Sequence, residues 1–172
     1  EPDNIMGCHF RIEGEIQAGD HERIERFIQS IDDDYFYNGP NSKLANEHGA
    51  HHFKRVCLNS PGGSLTEAIK IAKAIYSLWG TAIGANHSCE SACSLIFMAG
   101  SSSTEDDRGI IANRILHPLG RLGFHAPNLT IEEGNYSAKT VSKAYNIALR
   151  GIWQIYDISG FIKFPASLIG EM

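Results

Sequence analysis

Apolar and polar positions along this chain switch between a period of two and a period near 3.6, and the switches mark out its elements. Phe10-Arg-Ile-Glu-Gly-Glu-Ile16 alternates apolar and polar residues, as a half-buried strand does. Gly19-Asp20 breaks the alternation. After Asp20, a good N-cap, Ile24, Phe27, Ile28 and Ile31 recur at i, i+3, i+4 and i+7, one face of a helix. Residues 32–52 hold no period and are polar, including His48, His51 and His52; they read as a long surface loop, since no Cys or carboxylate completes a metal-ligand spacing. Arg55-Val-Cys-Leu-Asn59 is a short apolar run of the kind buried inside a parallel sheet. Ser60-Pro61-Gly62-Gly63 then turns the chain, and Ser64 opens a helix with Glu67 at capping-box spacing. Leu65, Ala68, Ile69, Ala72, Ile75, Tyr76 and Trp79 keep helical spacing up to a stop at Gly80.

The second half continues the alternation. Thr81 to Ala85 reads as another buried strand, and Ser91 to Ala99 as a helix apolar nearly all round, hence central. Residues 101–108, Ser-Ser-Ser-Thr-Glu-Asp-Asp-Arg, are expected to form a mobile polar loop. Arg114 to Pro118 and Leu122 to His125 are short extended pieces. Val141, Ala144, Tyr145, Ala148, Ile152 and Ile155 predict a helix over Ser137 to Tyr156, stopped by Ser159-Gly160. Strand and helix in alternation mean an α/β fold with a mostly parallel sheet and flanking helices, whose sites lie at the carboxyl ends of the strands.

Composition narrows the picture. At 172 residues, 42% hydrophobic and 20% charged, the expectation is one globular domain over 1–172. A net charge of -5 provides no basic surface for a phosphate backbone, which argues against nucleic acid as a partner. No apolar run approaches the roughly 20 residues of a membrane span. The chain begins at Glu1 without a signal-like apolar core, so any targeting segment is expected to have been removed. Cysteines number 4, an even count that permits disulfides without requiring them.

The candidate chemistry lies at three predicted strand ends. A serine hydroxyl needs a base to take its proton and donors for the oxyanion that forms. Ser91, where a polar turn meets the apolar helix, is the candidate nucleophile, and the Ala92 N–H at the helix N-terminus would be one donor. The Gly62-Gly63 turn lets a second backbone N–H approach the same oxygen, from Gly63 or, second, Gly62. His125 would be the base. Each has a structural alternative: an ordinary N-cap for Ser91, a tight turn for the glycines, a packing role for His125. Cys89 and Cys93 stand where a Gly-x-Ser-x-Gly elbow has glycines, which argues against an α/β-hydrolase.

Asn59-Ser-Pro-Gly-Gly-Ser64, then Ser91, then His125-Ala-Pro127 together resemble the proteolytic subunit of Clp protease (ClpP) and its crotonase-like superfamily, over Phe10 to about Tyr156. The Cys89-Glu-Ser-Ala-Cys93 form looks more like the periplasmic Clp-protease-like proteins than the cytosolic peptidase. The resemblance implies a ClpP/crotonase-like fold of repeated ββα and βα units and a serine peptidase acting on peptides or unfolded protein without a cofactor or metal. It implies Ser91 as nucleophile, His125 as base, and Gly63 with Ala92 as oxyanion hole. The family also has an aspartate well downstream of the histidine. Here Asp157 is the sole Asp after His125 and lies earlier than the family position. The third member is therefore expected to be missing, replaced or beyond Met172, in a domain truncated at its C-terminus. A Ser–Lys dyad through Lys70 or Lys73 is a weaker option. A non-catalytic peptide-binding or assembly module is the alternative function, and acyl-CoA chemistry a third that has no need of a serine–histidine pair. Clp-like folds assemble through the helix after the histidine, so Ser137 to Tyr156 is the candidate homo-oligomer surface.

Cys89 and Cys93, four apart, come within disulfide reach if Cys89 lies just before the helix. They are expected to form a disulfide that stiffens the nucleophile turn, with Cys8–Cys57 as a second pair. Two small buried thiols are the alternative. A disulfide would point to a periplasmic or otherwise extracytoplasmic setting, with the cytoplasm as alternative.

Overall fold

The computed structural model describes residues 6–30, 54–103, 109–124 and 136–143, together with 146 and 150. The chain divides into two units, Glu1–Gly123 and Phe124–Met172. In the first, the described elements run β1 (Phe10–Glu13), α1 (Asp20–Ser30), β2 (Arg55–Asn59), α2 (Leu65–Ile75), β3 (Gly80–Ile83), β4 (Ser88–Glu90), α3 (Ala92–Ala99), β5 (Ser101–Ser103), β6 (Ile110–Ala112), β7 (Arg114–Leu116) and β8 (Arg121–Gly123). In the second, residues 138–143 are helical and exposed. The rest of the helix expected over Ser137 to Tyr156 lies largely outside the described residues, as does the expected loop over 32–52.

The fold is mixed α/β. Four parallel strands form one sheet in the order β1-β2-β3-β7. Its central strands are apolar without alternation because both faces are covered: Val56, Leu58, Ala82 and Ile83 are fully buried. The flanking helices supply the cover. α2 buries Ala68, Ile69, Ile71, Ala72 and Ile75, and packs on α3, which is buried along nearly its whole length. A disulfide joins Cys8, just ahead of β1, to Cys57 in β2, with Cα atoms 5.6 Å apart. No helix among the described residues is long and apolar enough to cross a membrane.

Several local expectations change. β1 stops at Glu13, and Ile16 rejoins the structure through an isolated bridge to Gly63. The apolar stripe of α1 is only partly covered: no residue of this helix is fully buried, and Phe27 meets Phe10 edge-on at 5.1 Å. Asp20 does not cap α1 by itself. Its carboxylate accepts from Gln17 N–H at 2.8 Å, while Glu67, reaching across from α2, accepts from Gly19 N–H at 3.2 Å and His21 N–H at 3.3 Å. Only half of the capping box forms, Glu67 N–H donating to Ser64 Oγ at 3.4 Å, because the Glu67 carboxylate is spent on α1 and on Lys70. The α2 helix ends at Ile75, four residues before Trp79, where Ser77 at φ 64° turns the chain. Trp79 is buried nonetheless, against the rings of His9 and Phe10 at 5.7 and 5.3 Å. Ser101–Ser103, expected within a mobile loop, is a strand paired antiparallel with β6; residues 104–108 lie outside the described residues.

Candidate functional site: the Ser91 elbow

Ser60 fixes where the site is built. One residue beyond β2, its N–H donates to Ser88 O at 2.7 Å and its carbonyl accepts from Glu90 N–H at 3.0 Å, so β4 hangs on the carboxyl end of β2. On its other edge β4 pairs in parallel with β8, Cys89 opposite Leu122 and Glu90 opposite Gly123. The chain then passes from β4 to α3 through Ser91 alone.

That residue has φ 56° and ψ -126°, a region that non-glycine residues enter at a cost of about 1–3 kcal/mol. A serine acting as an ordinary N-cap has extended backbone and accepts a hydrogen bond from the helix. Ser91 does neither, for its side chain makes no capping bond, and its hydroxyl has no partner among the described residues. Strand, strained serine, helix is the backbone of a nucleophile elbow. The sequence lacks the elbow's glycines, and the backbone adopts its shape.

Gly62 explains why the preceding turn is glycine. It lies at φ 102°, and a methyl group there would sit 2.7 Å from both Glu90 O and Ser91 Cβ, and 3.1 Å from Ala92 N. The Pro-Gly-Gly turn is therefore pressed against the elbow. The Gly62 N–H is taken by Ser60 Oγ at 3.0 Å, and the Gly62 carbonyl accepts from Ile16 N–H at 2.7 Å. The N–H groups of Gly63 and Ala92 have no acceptor among the described residues. Ala92 opens a buried apolar helix, so its N–H carries the positive end of the helix dipole. Of these three amides, that of Gly62 is the one already engaged among the described residues.

Two further residues brace the elbow, and neither stood out in the sequence. The Gly123 carbonyl, at the end of β8, accepts from Ser91 N–H at 3.0 Å and from the Ser94 hydroxyl. Ser94, fully buried, also lies 3.3 Å from Cys89 O. The available signal was a serine in the first turn of a helix otherwise apolar all round. At the rim, Glu90 pairs with Arg121 at 2.6 Å in an exposed bridge of little energetic weight.

Cys89 and Cys93, two residues either side of Ser91, are joined by a disulfide with Cα atoms 5.2 Å apart, and both are fully buried. Lys70, the Ser–Lys option, is exposed and held by Glu67 Oε1 at 2.8 Å. The Lys70–Glu67 hydrogen bond holds the Glu67 carboxyl below its usual range and raises the Lys70 ammonium. His125 and Asp157 lie outside the described residues. No protein-family model matches this chain, and comparison with curated proteins finds no match.

Proposed function

We propose that this chain is a serine hydrolase of the ClpP/crotonase-like group, cleaving peptide bonds with Ser91 as nucleophile and His125 as base. The observation that carries the proposal is the backbone of Ser91, strained between a strand and a helix with its hydroxyl unused for capping. Ser91 Oγ attacks the peptide carbonyl carbon as His125 takes its proton. The carbonyl oxygen becomes an oxyanion and accepts from the Gly63 and Ala92 N–H groups. His125 then passes the proton to the departing amine, leaving an acyl ester on Ser91. Water, deprotonated by His125, cleaves that ester and restores the serine. The role given to His125 rests on the resemblance of His125-Ala-Pro127 to the family's histidine segment.

Peptides or unfolded proteins are the substrates in this reading. The two disulfides favour a periplasmic or other extracytoplasmic setting. A mixed peptide library incubated with the full chain and read by mass spectrometry tests the assignment. Cleavage that disappears in a folded Ser91→Ala variant is expected. Cleavage that survives the substitution contradicts the nucleophile, and a folded wild type that cleaves nothing favours a peptide-binding module instead.

A further inference from the structure

The disulfide is placed around Ser91, which with Ser77 and Asn86 is one of three non-glycine residues at positive φ among the described residues. Cys89 is the middle residue of β4 and Cys93 lies in the first turn of α3, so the bond closes a loop of sequence separation 4 with Ser91 at its centre. The Cys8–Cys57 bond closes a separation of 49. Because the effect of a cross-link on the unfolded chain grows with loop length, the long bond is the one suited to global stability. The short bond acts on its own turn. Both of its cysteines are fully buried, which keeps soluble reductants from the sulfurs and suits a fixed brace better than a switch.

We propose that the Cys89–Cys93 disulfide is the positioning element of Ser91, holding the elbow open in place of the glycines of a Gly-x-Ser-x-Gly turn. In a glycine elbow, small residues two positions either side allow the strand and helix to close tightly. Here the two positions are drawn to a Cα separation of 5.2 Å by a covalent bond. Without it, Ser91 has a lower-energy option: an ordinary N-cap with negative φ and its hydroxyl turned to the helix N–H groups. That option removes the nucleophile and shifts the Ala92 N–H.

The inference rests on the serine hydrolase reading for its consequence, so the experiment reads conformation and reactivity separately. Full-length wild type is compared with Cys89→Ala/Cys93→Ala, Cys89→Gly/Cys93→Gly and Cys8→Ala/Cys57→Ala. Reactivity is the rate at saturating fluorophosphonate, and conformation is the sign of the Ser91 φ from a crystal structure or backbone couplings. The alanine pair is expected to slow labelling about 10–100-fold, change apparent probe affinity less than about threefold, and turn φ negative. The glycine pair is expected to recover most of the rate. The Cys8–Cys57 variant is expected to melt earlier and label normally while folded. A folded alanine pair with positive φ and wild-type labelling overturns the proposal, as does a glycine pair as slow as the alanine pair. An alanine pair that does not fold is replaced by the serine pair, read identically. If wild type does not label, the hydrolase reading fails; the φ of the alanine pair then decides the positioning claim alone, negative supporting it and positive overturning it.

Discussion

Replacing Gly62 by alanine loads the contact between the Pro-Gly-Gly turn and the elbow directly. An alanine at φ 102° carries a backbone cost of about 1–2 kcal/mol. Its methyl would also lie 2.7 Å from Glu90 O and Ser91 Cβ, closer than atoms tolerate, and neither neighbour is the free end of a long side chain. Overpacking of this kind costs about 1–3 kcal/mol, so the total is about 2–5 kcal/mol, or a fall in Tm of about 5–15 °C for a chain of this size. Gly14 supplies the control: φ is 84° with nothing within 4 Å of an added methyl, so Gly14→Ala carries the backbone cost alone, about 1 kcal/mol and about 2–4 °C. Thermal melts by circular dichroism measure both. Fluorophosphonate labelling of the folded fraction should fall about tenfold or more in Gly62→Ala, whose methyl displaces Ser91 or Ala92, and stay unchanged in Gly14→Ala. Equal melting shifts for the two variants, with equal labelling, would refute the claim that the turn is pressed against the Ser91 elbow.

Two other outcomes follow from named contacts. Ser94→Ala removes the hydroxyl shared between the Gly123 and Cys89 carbonyls and should cost about 1–2 kcal/mol, with labelling of Ser91 slowed severalfold; an unchanged melt would show that this bridge is idle. His9 is held neutral, its pKa lowered to about 4 by burial and then by the charges of Arg55 and Lys54, while Arg55 N–H donates to its Nδ1 at 3.2 Å. The unfolded chain therefore takes up a proton near pH 6.5 that the folded chain refuses until about pH 4. Stability present above about pH 6.5 should be lost as pH falls through that window, by roughly 1–2 kcal/mol after allowance for water reaching part of the ring. His9→Gln should flatten that limb, and an NMR titration placing His9 near its ordinary value would contradict the account.

Periodicity served best where burial was uniform. Arg55 to Asn59 and Thr81 to Ile83 are apolar without alternation because both faces of the sheet are covered, and α3 is apolar all round because it lies in the core. It served worst where a long-range partner decided the outcome. Nothing local says that Glu67 leaves its own helix to cap α1, or that Trp79 is buried from a turn rather than a helix face. Ser101–Ser103 reads as a loop because its partners are distant in sequence, Ile110–Ala112 on one edge and the Trp79 and Ser77 carbonyls on the other. At the site, the Gly62-Gly63 turn was legible from glycine chemistry. The strain on Ser91 was not, since the same residues serve equally for an N-cap; the fixed points are Gly123, Ser94 and the disulfide, reached only through the fold. The spacing of Cys89 and Cys93 admitted a bond and left open two free thiols, and the structure joins them.

The most direct test of the central claim is covalent labelling of the full chain with a fluorophosphonate at mildly alkaline pH, mapped by peptide mass spectrometry. The account predicts a single adduct on Ser91, abolished in Ser91→Ala and slowed about 100-fold or more in His125→Ala, each variant remaining folded. A folded wild-type chain left unmodified at Ser91, or modified equally fast without His125, would contradict it.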